Sequence, residues 1–582
     1  MKFAVRFIPT LVVAAITIAC SQPKSIPINE IDFGKNVYVY SDTMKMEQMQ
    51  SLIDSISTFQ DDREREFGPN RVAFLFKSGV YDLDVYAGYY TQISGLGKLP
   101  SGVTIRGAVE SRQVRRTALS NFWRSAENMM VVPKGGKNFW VTSQAAPMRR
   151  MHIKGDLGFS KDGYTSGGFL GNSVVDGTIT SGTQQQYFTR NSSIGKWDGF
   201  VWNMVFLGVK NAPAEQWPKP PFTTIDETPL IREKPFLFLD KNDKYKIFVP
   251  ALRASVSGPD WTEGNLKGKE IDFKDVYIVK EEVDNSESIN KALKDGKHLL
   301  ITPGRYYLTE TIEVNKPGTV ILGIGLPSII PTTGKKAMKI ADVEGVSLAG
   351  ITFHAGPMRS DVLLQVGEEK SKAIHKENPT FLFDVFCRVG TDKAGTATSC
   401  VIINSNNVIA DHFWLWRADH GPSAVKSPGW DVNLGENGLI VNGNDVTIYG
   451  LFVEHFTEYQ TLWNGERGRT YFYQSEMPYD PPTQEDWKHG DVNGYASYKV
   501  ADHVQEHNAW GLGIYNTFRE GPIFADRAIE VPENPKVQLK HMTTFYLSGK
   551  GGGINHVINT FGGAANEKNR EQKVEFFPIV EK

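Results

Sequence analysis

The chain has 582 residues, 40% of them hydrophobic and 22% charged, with a formal net charge of −2. That length exceeds one ordinary core and calls for two or more domains or one elongated, repetitive architecture. The near-neutral balance leaves no electrostatic footprint for nucleic acid or an anionic membrane surface, and it favours a neutral or mildly polar ligand.

Lys2 and Arg6 flank the start of an apolar run, Phe7 to Ile18, that is too short for a convincing membrane span. Residues 1–20 therefore read as an export signal. The segment ends Thr17-Ile18-Ala19-Cys20, a small residue before Cys. This looks like a bacterial lipoprotein signal with Cys20 as the lipidated N-terminus, although Thr17 stands where Leu is usual. An ordinary secretory signal is the alternative. Either way the protein leaves the cytoplasm, for the periplasm or the outer surface, and touches a membrane only through that lipid. Residues 21–28 form a short tether with two prolines.

The mature chain starts twice. Ile31-Asp32-Phe33 and Val37-Tyr38-Val39 recur as Ile271-Asp272-Phe273 and Val276-Tyr277-Ile278. A helical pattern follows each, carrying Met46, Met49, Leu52, Ile53 and Ile56 in the first case and Ile289 and Leu293 in the second. Leu75 to Tyr81 then matches Leu300 to Tyr306, and Gly102 to Gly107 matches Gly318 to Gly323. Three matches in one order predict two homologous domains, 29–265 and 266–582, with the join in the Lys/Asp/Gly-rich region from Lys241 to Lys269.

Within each half, short β-branched runs alternate with Asn, Asp and Gly, as in Val174 to Ile179, Val401 to Ile409 and Leu439 to Ile448. Such runs predict stacked rungs, hence an all-β chain of two tandem right-handed parallel β-helices of the pectate-lyase type, packed side by side. A β-sandwich pair or a propeller is the alternative, but no blade signature recurs. Cys387 and Cys400 either pair across a short loop or stay as isolated thiols.

Carboxylates, amides and flat aromatics are densest from Glu454 to Trp510. Sugar processing needs this mixture: carboxylates for acid/base chemistry, rings for the apolar faces of a pyranose. Strand alternation over Tyr471 to Glu476 would put Tyr471, Tyr473 and Ser475 on one face and Phe472, Gln474 and Glu476 on the other. Pro478 and the Pro481-Pro482 pair end that strand, which leaves Glu476 at its exposed end.

Two β-helix halves together with Tyr471 to Tyr479 resemble glycoside hydrolase family 55, the exo-acting β-1,3-glucanases. The likeness runs from about Phe33 to Phe577. It is most specific over Glu454 to Asp480 and Asn493 to Gly513, with a first-half cluster at Val141 to Arg150, Gly163 to Phe169 and Thr183 to Gln186. The resemblance implies an inverting enzyme that removes glucose from the non-reducing end of laminarin-type glucan, with no cofactor and no metal. It implies Glu476 as general acid. It also implies Glu454 with Ser166 and Gln144 as the relay that positions and deprotonates the attacking water, in the cleft between the halves. Burial beside Tyr473 and Tyr479 would keep the acid protonated. Tyr164, Trp416, Trp463, Tyr473 and Tyr479 are candidate substrate-binding aromatics, each against the alternative of core packing.

Other residues carry competing readings. Glu458 is the runner-up partner for the acid, or a structural acceptor. Asp411-His412 and Asp419-His420, flanking Trp414 and Trp416, suggest a general base, a metal site if brought together or, more simply, hydrogen bonds at rung turns. Arg149-Arg150 could grip an acidic sugar, as in a polysaccharide lyase, but reads more simply as a surface ion pair. The chief rivals are thus a β-helical lyase or other glycosidase, and a non-catalytic glycan-binding lipoprotein. The presence of both Glu454 and Glu476 favours the hydrolase.

Overall fold

The structure is a computed structural model that describes residues 31–113, 117–262, 264, 266–390, 392–422 and 429–578. The expected export signal at 1–20, its Cys20 and the tether at 21–28 lie outside the described residues. From Phe33 onward the chain forms one compact unit.

The β-branched runs make short parallel strands that stack as rungs. In the second half, strands Ser347–His354, Phe381–Val389, Ile409–Arg417, Thr447–Glu454, Gly468–Glu476 and His507–Phe518 lie side by side in one sheet. A ten-stranded sheet forms another wall, and the chain alternates between the two. Thr447–Glu454, then Thr461–Trp463, then Gly468–Glu476 is one circuit. Inside lies a continuous aliphatic core that includes Leu415, Leu451, Val453, Leu512 and Ile514. Each such side chain contributes about 1.5–3 kcal/mol when fully buried.

The Asn-rich turns have a specific job. Asn464 Nδ2 donates to Asn442 Oδ1 at 2.8 Å, and Asn442 Nδ2 to Asn404 Oδ1 at 2.8 Å, which ties successive rungs together. The glycine beside this ladder is obligatory, since a Cβ on Gly465 would lie 1.8 Å from the carbonyl oxygen of Gly443.

The first half repeats the plan with nine parallel strands in order from Val37–Tyr40 to Phe222–Ile225. The predicted helices are Met46–Gln60 and Ser286–Lys294, and they bury Met49 and Ile53 in one case and Ile289 and Leu293 in the other. Two of the three repeat matches hold in pairing: Val37–Tyr40 on Val72–Phe76 corresponds to Val276–Val279 on His298–Ile301. The third is out of place. Val320–Gly323 pairs with His298–Ile301, and its first-half equivalent is Thr91–Gly95, which pairs with Val72–Phe76. Val103–Glu110 pairs instead with Gly79–Tyr81, as Ser328–Pro331 pairs with Arg305–Leu308. Gly-flanked apolar runs are common enough in a β-helix to match one rung wall early.

Between the halves, Phe236–Leu239, Tyr245–Pro250 and Gly268–Asp272 form an antiparallel sheet that spans the expected boundary at 265/266. The halves dock through a row of corners. Gly350, Asp384, His412, Gly450, Phe472, Gly511 and His541 all take left-handed backbone, with φ from 47° to 76°. His412 stacks on Phe169 at 4.7 Å and Phe472 on Phe188 at 5.5 Å. His541 Nδ1 meets Thr223 Oγ1 at 2.8 Å.

These corners overturn two expectations. Phe472 reverses the alternation within its strand. Tyr471 packs on Trp510 and Tyr449, whereas Tyr473 lies in the second-half core. Arg149 and Arg150 are not a surface pair but fully buried. Arg149 binds Asp384 at 2.8 Å and Asp411 at 2.7 Å across the interface, and Arg150 binds Asp260 at 3.1 Å. Burial alone would raise the Asp384 carboxyl, but Arg149 and Lys234 hold it well below the usual carboxylate range. His412 likewise binds Asp384 at 2.9 Å, so the Asp411-His412 pair belongs to the interface. Cys387 and Cys400 are free, buried thiols, and burial pushes the Cys387 thiol up.

Candidate active site

Register builds one wall of the site. Trp416 lies opposite Glu454, Glu454 opposite Glu476, and Glu476 opposite Tyr515 on successive parallel strands. Neighbouring strands are about 4.8 Å apart, so the two carboxylates project side by side from one surface. Just beyond them the chain turns away, with His455 N donating to Glu476 O at 2.9 Å and Met477 N to Tyr515 O at 2.9 Å. The other wall comes from first-half segments that lie between strands and carry Gln144, Tyr164, Ser166 and Trp202. The cleft has a volume of about 890 Å³ and is lined by residues of both halves, including these four with Trp414, Trp416, Glu454, Glu476 and Tyr479.

The expected relay residues are in direct contact. Ser166 Oγ donates to Gln144 Oε1 at 2.9 Å, and Gln144 Nε2 donates to Glu454 Oε1 at 2.9 Å. Trp414 Nε1 donates to the other oxygen, Glu454 Oε2, at 2.8 Å. Ser166 is itself fixed by its main chain: its N–H donates to Ser143 Oγ at 3.1 Å and its carbonyl accepts from Gln186 Nε2. Gln144 takes a strained left-handed backbone with φ 29°, and its carbonyl lies 3.3 Å from His412 Nε2.

Electrostatics divides the carboxylates. Burial raises Glu454 to about 7, although the Trp414 and Gln144 donors pull it back. Glu476 goes well above the carboxylate range, through burial first and then through the charges of Glu454 and Asp419. Near neutral pH Glu476 therefore holds a proton, while Glu454, which accepts from Trp414 and Gln144, is the more readily ionised of the two. Asp419 goes the other way: burial would raise it, but His420, His455 and Arg519 hold it far below its ordinary value.

Of the expected sugar platforms, Tyr164, Trp416 and Tyr479 line the cleft, and Tyr164 is 65% exposed. Tyr479 sits edge-on to His455 at 4.3 Å, beneath the Arg519 guanidinium at 4.4 Å. Trp463 and Tyr473 do not reach the cleft. Both are fully buried in the second-half core, and the Tyr473 hydroxyl donates to Ser497 O at 2.8 Å. Glu458 lies apart, in a pocket of about 260 Å³ with Glu436 and Tyr495. Trp414, Trp202 and Arg519 line the cleft without being expected there, and so do Asp419 and His420, for which the sequence leaves a general base, a metal site and a rung turn open. The rung lengths could have found Trp414 and Trp416, since Trp416 precedes Glu454 by the same interval that separates the laddered Asn404 and Asn442. Among the described residues, no three His, Cys, Asp or Glu side chains group as metal ligands.

Known proteins share this fold. A family described as "LAM55 pectate lyase-like domain" matches residues 277–476, ending on Glu476 itself. An exo-beta-1,3-glucanase of Streptomyces sp. (strain SirexAA-E / ActE) is 44% identical over 537 residues, covering 91% of this chain and 87% of that protein. The solved structure of sacteLam55A from Streptomyces sp. SirexAA-E superposes with a TM-score of 0.91 at 42% identity, over 94% of this chain and 99% of the other. A variant of the same enzyme in complex with glucose gives 0.91 and 42%, over 94% and 98%. The chain belongs to glycoside hydrolase family 55.

Proposed function

We propose that this chain is an exported exo-β-1,3-glucanase that releases glucose from the non-reducing end of laminarin-type glucan with inversion at the anomeric carbon. The observation that carries this is the buried Glu454–Glu476 pair, wired through Gln144 to Ser166 across the two halves. The exo-β-1,3-glucanase activity of the Streptomyces relative supports the substrate and the mode of attack.

The chemistry follows from the donors and acceptors. Glu476 gives its proton to the glycosidic oxygen as the bond to the anomeric carbon breaks. A water hydrogen-bonded to Ser166 Oγ attacks that carbon and passes a proton to Ser166. Ser166 passes its own proton to Gln144 Oε1, and Gln144 passes one from Nε2 to Glu454, becoming transiently an imidic acid. At the end Glu476 is ionised and Glu454 protonated, so the pair keeps its total charge. The two residues are neighbours in register, which gives the proton a short way back.

The lyase reading loses its best residues, since Arg149 and Arg150 are committed to buried ion pairs. Sugar release from laminarin by wild type and Glu476→Gln, with the anomer followed by NMR, tests the function. Release of α-glucose by wild type, and loss of about 10²–10⁴-fold in kcat in the variant, is expected. Release by both proteins would reject Glu476 as acid, and β-glucose would reject inversion. Export and anchoring rest on the segment ending at Cys20: Cys20→Ala should move the protein from the membrane to the soluble fraction, and unchanged fractionation would reject the lipid.

A further inference from the structure

Glu66 follows a short 3-10 turn in the first half, is 2% exposed and does not line the cleft. Its carboxylate Oε1 lies 2.6 Å from His420 Nε2. The other ring nitrogen, His420 Nδ1, lies 2.9 Å from Asp419 Oδ1. An imidazole with a carboxylate on each nitrogen must donate from both, and so it is the doubly protonated cation. Asp419 Oδ2 is in turn 2.9 Å from Arg519 Nη2. Asp419, His420, Arg519 and Glu476 all line the catalytic cleft.

We propose that Glu66 is a positioning residue for the hydrolase: acting through His420, it fixes Asp419 as an oriented, ionised acceptor for sugar hydroxyls beside Glu476. The inference rests on the hydrolase reading and deepens it. The Glu66–His420 contact is a second point, besides Gln144–Glu454, where a first-half side chain completes the chemistry of the second half. It leaves each Asp419 oxygen with one protein donor and with lone pairs facing the cleft.

The surroundings are consistent with a permanent cation. His420 faces Asp419 from its own segment, Glu66 from the first half, Arg519 beyond Asp419, and His455 and Glu476 from the ends of adjacent strands. Phe67 and Trp416 supply the remaining walls, with ring centroids at 5.6 and 5.2 Å. Arg388 lies beyond Phe67, 5.0 Å over its ring. Burial alone would lower His420, but Asp419 and Glu66 raise it to about 10. His455 is driven down to about 4 by burial, so it adds no positive charge near neutrality.

The test compares wild type, Glu66→Gln, His420→Gln and the double variant on laminarin oligosaccharides, with the His420 ring followed by NMR. Glutamine is isosteric and still accepts from His420, so the fold should tolerate Glu66→Gln. Expected is a His420 that titrates close to neutrality, and a kcat/KM that falls about tenfold more at pH 8 than at pH 6, as the imidazolium fraction drops by that factor. The double variant should be no worse than the poorer single one. Equal loss at both pH values, no loss, or an unmoved His420 titration would overturn the proposal. If Glu66→Gln does not melt cooperatively, His420→Gln decides: a kcat/KM lowered by a similar factor at pH 6 and pH 8 supports the proposal, and a wild-type kcat/KM there overturns it. A wild type that releases no sugar refutes the hydrolase reading instead, while the NMR titration still decides whether Glu66 holds His420.

Discussion

Where the second half presents Trp416, Glu454 and Glu476 from successive strands in register, the first half presents Gln144, Tyr164, Ser166 and Trp202 from the segments between its strands. The charged wall is thus positioned by backbone pairing, which tolerates little movement. The neutral wall is positioned by local hydrogen bonds and by how the halves dock. Glu476 and Glu454 would keep their spacing in almost any state in which the second half is folded. The chain of hydrogen bonds proposed to activate the water exists only when Gln144 reaches across to Glu454.

That contrast can be broken at the interface. Arg149→Met leaves Asp384 and Asp411 short of their shared cation, and loss of one partner from a buried ion cluster costs about 3–5 kcal/mol. Calorimetry should show the melt falling and hydrolysis lost with it, while a melt unchanged by the substitution would mean that the cluster does not hold the halves together. Ser166→Ala is the milder cut. It removes the group that meets the water and keeps the acid, so kcat should drop by about 10–100-fold with KM nearly unchanged. A rise in KM alone would make Ser166 a binding residue.

The smallest effect sharpens the electrostatics. Trp414 Nε1 stabilises the charged form of Glu454, so Trp414→Phe should raise that carboxyl further. The acid limb of kcat/KM, which reports ionised Glu454, should then move to higher pH by up to about one unit. A limb that stays put or moves down would detach it from Glu454.

How much of this was legible in the sequence follows the same division. Glu476 could be placed at a strand end because prolines follow it. Glu454 could be placed beside it because their separation equals one circuit of the coil, as the Asn442-to-Asn464 step also shows. The resemblance supplied Glu454 together with Gln144 and Ser166, and the structure joins the three by hydrogen bonds. What failed did so where local rules stop applying. Alternation assigned Tyr471 and Tyr473 to one face, but the left-handed corner at Phe472 resets the phase between them. Trp463 is a candidate platform as an aromatic in the carboxylate- and amide-rich stretch, yet it ends the strand Thr461–Trp463 on the face that packs into the core. Arg149 read as superficial because its partners, Asp384 and Asp411, lie more than two hundred residues away in sequence.

The row of left-handed corners sets a constraint on how such a molecule can change length. It works as a key: Phe169 stacks on the His412 corner, Phe188 fills the space left by Gly450, and Val205 that left by Gly511. Inserting or deleting one whole circuit in either half, on the terminal side of the cleft, would slide one set of teeth past the other by about 4.8 Å. The 2.9 Å bond from Gln144 to Glu454 would not survive that slip. Variation in length must therefore go into the turns or occur as matched changes in both halves, which makes rung count, as much as residue identity, a heritable part of the catalytic site.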